Sequence, residues 1–173
     1  MKQLSLFKDK PRLEFGGVLG IGKRKAARPL DTKRPHHFVL KAKCANRLLR
    51  RRKEIEQVIH RYSARFGVRI YSLAVNADHI HLNVRITNRV LYRRWIRAIT
   101  SRLVALIKGL KFALIPYSKI VSWGKQFNNL CEYHRLNRAH GDFLVECFLN
   151  VERWVQGAAL NTGQWISLRS PDH

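Results

Sequence analysis

"VRIYSLAVNADHIHLNVRI", residues 68–86, is the stretch that decides how the chain folds. Residues 68–75 and residues 79–86 are both rich in β-branched and other apolar side chains, a composition typical of β-strands. Between them lie Asn76 and Asp78, two residue types whose side chains stabilise tight turns. The stretch therefore predicts a β-hairpin.

The segments on either side of this hairpin predict two helices and two further strands. Upstream, residues 36–43 alternate like a strand, and residues 48–66 carry an apolar stripe at helical spacing. Downstream, Asn88 caps a helix that runs to about residue 108, and residues 115–123 resemble a fourth strand. The order β-α-β-β-α-β is the ferredoxin-like pattern, so we predict an α+β fold with an antiparallel sheet and helices on one face.

The two ends of the chain differ from this central part. The first 35 residues mix glycine, proline and cations with little periodicity, so we expect a basic arm that buries little surface. Residues 125–141 predict a short helix that Gly141 stops, and residues 142–157 predict a further amphipathic helix. The expected organisation is an arm over residues 1–35, a central domain over residues 36–141, and a C-terminal helix and tail over residues 142–173.

The charge of the chain points to a polyanionic partner. Its 173 residues include 34 Lys and Arg but only 11 Asp and Glu, a formal net charge of +23. Such self-repulsion does not stabilise a small domain, and nucleic acid is the leading partner that would offset it, with a membrane surface second. The sequence has no apolar run near the roughly 18 residues that span a bilayer, so we expect a soluble cytoplasmic protein.

Cations concentrate in three places that could contact phosphates. Positive charge at the start of a helix opposes the helix dipole, so stability does not explain the cluster that opens the first predicted helix. A phosphate partner would explain it, and a solvated charged helix start is the alternative. The candidate DNA-binding residues are Lys23 and Arg24 in the arm, Arg50, Arg51 and Arg52 in the first helix, and Arg93, Arg94 and Arg97 in the second.

Two histidines lie on the polar face of the second hairpin strand. Side chains alternate along a strand, so the apolar residues between 80 and 86 face the core while His79, His81, Asn83 and Arg85 face the other way. Same-face neighbours are about 7 Å apart, and two imidazoles at that spacing can lean onto one divalent ion. Taken alone the pair is a weak signal, because exposed strands also carry histidines by chance.

A tyrosine and an asparagine on the late helix could complete such a site. Tyr133 and Asn137 are four residues apart, so they share one helix face. An amide oxygen is a hard ligand suited to Mg²⁺ or Mn²⁺, and a tyrosine beside such an ion could attack phosphorus. The alternatives are that Tyr133 is a core aromatic with a solvated hydroxyl, and that Asn137 only precedes the helix end.

These residues together resemble the single-tyrosine HUH transposases, and most closely the REP-associated tyrosine transposases, which are IS200-like. "NADHIHLNV" is similar to that branch's strand with a His-hydrophobic-His pair. "WGKQFNNLCEYHRLNRAHG" is similar to its tryptophan-containing segment that leads into a helix with Tyr-x-x-x-Asn and then glycine. The resemblance covers about residues 36–141.

The resemblance implies a fold, a location and a reaction. The ferredoxin-like sheet of residues 36–141 would be the catalytic domain, with C-terminal helices carrying the tyrosine, in a bacterial protein associated with the nucleoid. Tyr133 would attack a phosphodiester of single-stranded DNA next to palindromic hairpin repeats. The product would be a 5′-phosphotyrosine link and a free 3′-OH. Both monomers and homodimers fit this resemblance.

The resemblance also implies a metal site. His79, His81 and Asn137 would be the ligands of Mg²⁺ or Mn²⁺. Three other residues near the tyrosine could compete with Asn137 as the third ligand: Glu132, His134 and His140.

Two other functions stay open at this point. A domesticated relative would bind DNA hairpins without cutting them. A ferredoxin-like protein that binds or cleaves RNA would use a histidine as general base, without a metal or a covalent link. Formation of a covalent protein–DNA adduct separates the first function from these two.

Overall fold

The computed structural model describes residues 13–22, 27–43 and 47–166, without the side chains of residue 47 and of residues 148–166. Lys23 and Arg24, two of the predicted phosphate contacts, lie outside the described residues.

The described residues form one antiparallel sheet, four α-helices and a short 3-10 helix at Gly17–Gly20. The strands are β1 (Glu14–Phe15), β2 (His36–Lys41), β3 (Val68–Val75), β4 (His79–Ile86) and β5 (Tyr117–Ile120). The helices are α1 (Arg47–Arg50), α2 (Arg52–Arg65), α3 (Arg89–Leu106) and α4 (Lys125–Ile166). The sheet order is β1-β5-β2-β4-β3. The four predicted strands, β2 to β5, thus have the ferredoxin-like arrangement. The predicted fold class is therefore confirmed, although the fourth predicted strand is shorter than residues 115–123.

The predicted hairpin is present and contains one irregularity. Strands β3 and β4 pair from Val68 opposite Ile86 to Val75 opposite Ile80, and Asn76 N donates to His79 O at 2.8 Å across the turn. The register shifts between Ile70 and Ser72, which makes Tyr71 the extra residue of a β-bulge. Since a bulge reverses the alternation of faces, Ser72 points to the polar face of the sheet instead of the core.

The core lies between one face of the sheet and the helices α2 and α3. Ile55 and Ile59 of α2 and Trp95 and Ile99 of α3 are fully buried, as the predicted apolar stripes require. From the sheet, the apolar alternation contributes Phe38, Leu40, Ile80, Leu82, Val84 and Ile86. The helices are joined by a buried hydrogen bond from Trp95 Nε1 to Ser63 Oγ at 3.0 Å.

Local signals set the ends of these two helices. Gly67, at φ +64°, follows α2 in a left-handed conformation that other residues adopt at a cost, so the chain turns directly into β3. Asn88 caps α3, because its side chain accepts hydrogen bonds from the backbone of Val90 at 2.7 Å and Leu91 at 3.2 Å. Both signals are read correctly from the sequence.

The predicted helix stop at Gly141 is wrong. Helix α4 continues without a break through Gly141, and so crosses the predicted boundary between residues 141 and 142. A Cβ at position 141 would lie 3.1 Å from the backbone oxygen of Val75 and 3.4 Å from Leu49 Cδ2. The glycine therefore lets α4 approach the end of β3 closely, and this packing offsets the low helix propensity of glycine.

Part of the segment predicted as an arm belongs to the sheet. Strand β1 pairs with β5 at the sheet edge, and Glu14 forms an ion pair with Lys119 at 2.7 Å. Further along, Arg28 lies 4.4 Å from the ring centre of Phe15 and donates to Pro116 O at 2.7 Å. The sequence did not predict this edge strand, because a pair of residues is too short for a visible period.

No helix among the described residues combines the length and the apolar composition that crossing a membrane requires.

Candidate metal centre and nucleophile

Helix α4 covers the second face of the sheet, which we call the histidine face and define by His79, His81 and Asn83 on β4 and His37 on β2. The predicted alternation of β4 is confirmed, since these histidines lie opposite to the core residues Ile80 and Leu82. Helix α4 covers the histidine face only in part: His81 is 5% exposed and Asn83 is fully buried, while His37 and His79 are half-buried. The hydrogen bonds within this face therefore determine which ring nitrogens are available as metal ligands.

Asp78 and Asn76 fix the orientation and the tautomer of His79. The ring donates from Nδ1 to Asp78 Oδ1 at 2.5 Å, and Asn76 Nδ2 donates to Nε2 at 2.9 Å. The same pairing with His79 lowers the pKa of the Asp78 carboxyl. With the proton on Nδ1, Nε2 keeps its lone pair and is the atom available as a ligand.

Asn137 presents its amide oxygen to the same place. Its Nδ2 donates to the backbone oxygen of Tyr133 at 2.8 Å, and its Oδ1 accepts from Asn76 Nδ2 at 3.0 Å. The amide nitrogen of Asn76 thus donates to Asn137 Oδ1 and His79 Nε2 at once. Two of the three predicted ligand atoms, His79 Nε2 and Asn137 Oδ1, therefore point to one position, which the amide NH₂ of Asn76 occupies.

His81 connects this position to the tyrosine. Its ring centre lies 4.5 Å from that of His79, and its Nε2 lies 3.5 Å from the hydroxyl oxygen of Tyr133. Tyr133 itself is 46% exposed, so this side of the site is open to solvent. The structure thus brings all four predicted site residues together at one end of the histidine face, although they come from a strand and a helix about fifty positions apart.

The residues present fit a divalent cation. Two imidazole nitrogens and an amide oxygen are available as ligands, and the amide oxygen suits a hard ion such as Mg²⁺ or Mn²⁺. Asp78 adds a carboxylate behind His79, the usual outer partner of a ligating histidine. Next to Asn137 and His79 lies a cavity of about 270 Å³, which His140 and Gly141 also line. There is thus space beside the predicted ligands for a substrate oxygen.

The three other candidates for the third ligand have different surroundings. Glu132 is exposed and forms an ion pair with Arg135 at 2.7 Å, a contact that also lowers the pKa of its carboxyl. His140 is exposed at the rim of the cavity. His134 is buried and points to a different group of residues.

That group is a cluster of three imidazoles, His37, His81 and His134, each of which can offer a ring nitrogen within 4.8 Å of the others. His37 Nε2 lies 3.0 Å from His81 Nδ1, and His134 Nδ1 lies 2.7 Å from Ser72 Oγ. Such a cluster can hold a metal ion. Burial lowers the pKa of His37 to about 3, of His81 to about 2 and of His134 to about 4, so all three rings are neutral at neutral pH.

Sequence reasoning missed three residues of this region. Asp78 was interpreted only as a turn residue, yet its carboxylate accepts a hydrogen bond from His79. His37 is aligned by the register, which puts it opposite Asn83, one alternate position along β4 from His81. Ser72 reaches His134 only because of the bulge at Tyr71. Of these three, only Asp78 had a signal in the sequence, because an acidic residue directly before a His-x-His pair can orient the first histidine.

The predicted DNA-binding arginines fall into different environments. Arg50 and Arg51 are exposed, and Arg51 forms an ion pair with Glu54 at 3.1 Å. Arg52 is largely buried and pairs with Glu56 at 3.1 Å and with Asp142, so it holds α2 against α4. The three arginines of α3 are exposed across the sheet from the histidine face: Arg93, Arg94 and Arg97.

An aromatic group lies beside the start of α4. Trp123 is 47% exposed and contacts Phe127, with ring centres 4.9 Å apart, and Tyr71, with ring centres 5.5 Å apart. Its Nε1 donates to the backbone oxygen of Lys33 at 3.2 Å, which fixes the indole plane. An exposed ring held in this way can stack an unpaired base.

Comparisons with known proteins identify the family of the chain and show relatives of its fold. A family profile described as "Transposase IS200 like" matches residues 32–129, more than half of the chain but ending before Tyr133. Among solved structures, a REP-associated tyrosine transposase bound to a REP hairpin is similar at a TM-score of 0.51 and 12% identity, over 68% of this chain and 74% of that chain. A structure from Deinococcus radiodurans R1, also titled as a transposase, has a TM-score of 0.43 and 13% identity, over 66% of this chain and 98% of that chain. No curated protein sequence matches significantly.

Proposed function

Because the chain belongs to the IS200-like transposase family, we propose that it nicks and rejoins single-stranded DNA through a covalent bond to Tyr133. One observation carries the proposal: Tyr133 is 46% exposed, and its hydroxyl oxygen lies 3.5 Å from Nε2 of His81, beside His79 and Asn137. The proposed substrate is DNA next to hairpin repeats, a choice supported by the fold likeness to a transposase solved with a REP hairpin. The catalytic part of the chain is proposed to be residues 36–141, flanked by the basic arm of residues 1–35 and by the C-terminal helix and tail.

The proposed reaction is a phosphoryl transfer to tyrosine. The hydroxyl oxygen of Tyr133 forms a bond to phosphorus while the bond from phosphorus to the 3′-oxygen breaks. The phenol loses its proton, and the leaving oxygen gains one to become a 3′-OH. The protein then holds the downstream strand as a 5′-phosphotyrosine. Attack by a 3′-OH reverses these bond changes, so rejoining requires no ATP.

The side chains around Tyr133 orient the reacting groups. A phenol is a weak nucleophile at neutral pH, so the phosphate must be polarised and held in line. In this proposal His79, His81 and Asn137 hold Mg²⁺ or Mn²⁺, which when bound offsets negative charge on the phosphate. Asp78 keeps His79 in the ligating tautomer, and Asn137 anchors its amide to the backbone at Tyr133. Both ligand orientations are therefore set before DNA arrives.

The proposed DNA contacts lie on both sides of the sheet. Arg50 and Arg51 are exposed and are proposed to bind phosphates, while Trp123 offers an exposed ring for an unpaired base. The three arginines of α3 face away from Tyr133, so they would add affinity without contributing to the chemistry. Lys23 and Arg24 are proposed as further phosphate contacts of the arm.

A labelled-hairpin assay tests this function. The purified chain is incubated with Mn²⁺ and a single-stranded DNA that carries a hairpin, labelled in separate reactions at its 3′ end or its 5′ end. After denaturation, the 3′ label is expected to stay on the protein, and the 5′ label to appear on a shorter free strand. The Tyr133→Phe variant should form no adduct yet bind the hairpin within about twofold, because one hydroxyl contributes little to phosphate-driven affinity.

The controls separate the competing functions. Tyr71→Phe changes a tyrosine that lies outside the metal centre, and it should leave adduct formation intact. Hairpin binding without an adduct under Mg²⁺ or Mn²⁺ would contradict the proposal and indicate a domesticated binding protein. Cleavage of an RNA hairpin that survives EDTA would contradict it in favour of a histidine-based ribonuclease.

A further inference from the structure

The cluster of His37, His81 and His134 shares one residue with the proposed catalytic ligands. His79 and Asn137 are not members of it, and His37 and His134 take no part in the proposed catalysis. We propose that the cluster is a second metal site, selective for a borderline transition-metal ion such as Zn²⁺, and that its occupation excludes the catalytic ion. The exclusion, but not the second site itself, rests on the proposed function.

His134 supplies the first independent observation. The residue is 1% exposed, and its Nε2 has no hydrogen-bond partner among the described residues. Leaving a buried polar atom without a hydrogen-bond partner destabilises the fold, so such an atom needs an explanation. Its Nδ1 is taken by Ser72 Oγ at 2.7 Å, which leaves Nε2 as the free ligand atom.

The other two nitrogens face each other. His37 Nε2 and His81 Nδ1 are 3.0 Å apart. In a tetrahedral zinc site, bonds of about 2.0–2.1 Å place neighbouring nitrogens about 3.3 Å apart, so the two rings need to separate by only a few tenths of an ångström. The ring centre of His134 lies 5.2 Å from that of His37 and 5.3 Å from that of His81, so the three rings form a compact triangle.

The composition of the cluster selects the ion. Three imidazoles without a carboxylate suit Zn²⁺ and similar ions, whereas Mg²⁺ prefers oxygen ligands and keeps its water. The proposed catalytic site differs because Asn137 adds an oxygen. The two sites should therefore prefer different metals.

His81 couples the two sites because a neutral imidazole has one lone pair. When His81 binds the catalytic ion through Nε2, its proton lies on Nδ1 and is donated to Nε2 of His37. When His81 binds a zinc-like ion through Nδ1, the proton lies on Nε2 and points towards Tyr133. One ring cannot serve both ions in its neutral form, so Zn²⁺ should act as an inhibitor that competes with Mn²⁺.

Two metals and two variants test the proposal in the full chain. Co²⁺ substitutes for Zn²⁺ and gives intense visible absorption bands in a tetrahedral site, while bound Mn²⁺ is followed by electron paramagnetic resonance. His134→Ala should weaken Co²⁺ binding at least about tenfold and leave Mn²⁺ binding within about twofold. His79→Ala is the matched control, and it should show the opposite pattern. Circular dichroism confirms that each variant is folded, and Ser72→Ala, which removes only the partner of His134, provides a milder variant.

Each outcome decides a different claim. Co²⁺ absorption that is unchanged by His134→Ala, or lost equally in His79→Ala, would overturn the second site. Mn²⁺ binding that survives His79→Ala would contradict the proposed catalytic ligands without affecting the second site. If both sites are present but Zn²⁺ does not raise the Mn²⁺ concentration needed for adduct formation, the mutual exclusion through His81 is wrong.

Discussion

Replacing Arg52 with alanine is expected to lower the free energy of unfolding by about 2–3 kcal/mol. The guanidinium is largely buried and pairs with Glu56 at 3.1 Å and with Asp142. Removing one partner of a buried ion pair costs about 3–5 kcal/mol, because the remaining charge stays desolvated. The cost is smaller here, since Asp142 is mostly exposed and Glu56 keeps a second cation, Arg138, at 3.4 Å.

The neighbouring arginine provides the matched control. Arg51 is exposed and pairs with Glu54 within one helical turn, a contact worth about 0.2–0.5 kcal/mol. Urea unfolding should therefore show a midpoint lowered by about 1 M for Arg52→Ala and almost no change for Arg51→Ala. At moderate salt, the affinity for hairpin DNA should fall more in Arg51→Ala than in Arg52→Ala. Equal stability losses in the two variants would refute the assignment of Arg52 to the contact between α2 and α4.

Three further predictions follow from local contacts. Asn88→Ala should cost about 1 kcal/mol of unfolding free energy, because α3 loses the side chain that caps two backbone N–H groups; an unchanged urea midpoint would contradict this. Ser63→Ala should cost about 1–3 kcal/mol by leaving the buried indole N–H of Trp95 without its acceptor, and restoring a hydroxyl with threonine should recover part of the loss. Asp78→Asn should weaken Mn²⁺ binding about 10- to 100-fold while leaving the unfolding midpoint nearly unchanged, because it removes the carboxylate behind His79; calorimetric titration that shows equal affinity would refute that role.

The fold was predictable because its signals are local and periodic. Alternation over residues 79–86 separates core residues from the histidines, and the spacing of residues such as Ile55 and Ile59 identifies the buried side of a helix. The four-residue spacing of Tyr133 and Asn137 also placed both on one helix face. Such patterns depend on backbone geometry alone, so no knowledge of the tertiary structure is needed to interpret them.

The features that sequence reasoning missed depend on contacts between distant segments. Gly141 looks like a helix stop until α4 is seen against the backbone of Val75, where a side chain would not fit easily. The bulge at Tyr71 changes the face of the sheet on which Ser72 lies, and no residue type in that strand predicts a bulge. His37 enters the metal region only through the register between β2 and β4. The histidine cluster therefore follows from strand register and the packing of α4, and not from the His-x-His pair.

The most direct test of the central claim is to locate the covalent bond. The adduct formed with a 3′-labelled hairpin DNA is digested with nuclease and protease, and the modified peptide is identified by mass spectrometry. The account predicts a nucleotide attached through phosphate to the tyrosine of the segment "CEYHR", which is Tyr133. A nucleotide on another residue, such as Tyr71 or Tyr117, or no covalent product with any divalent metal, would contradict it.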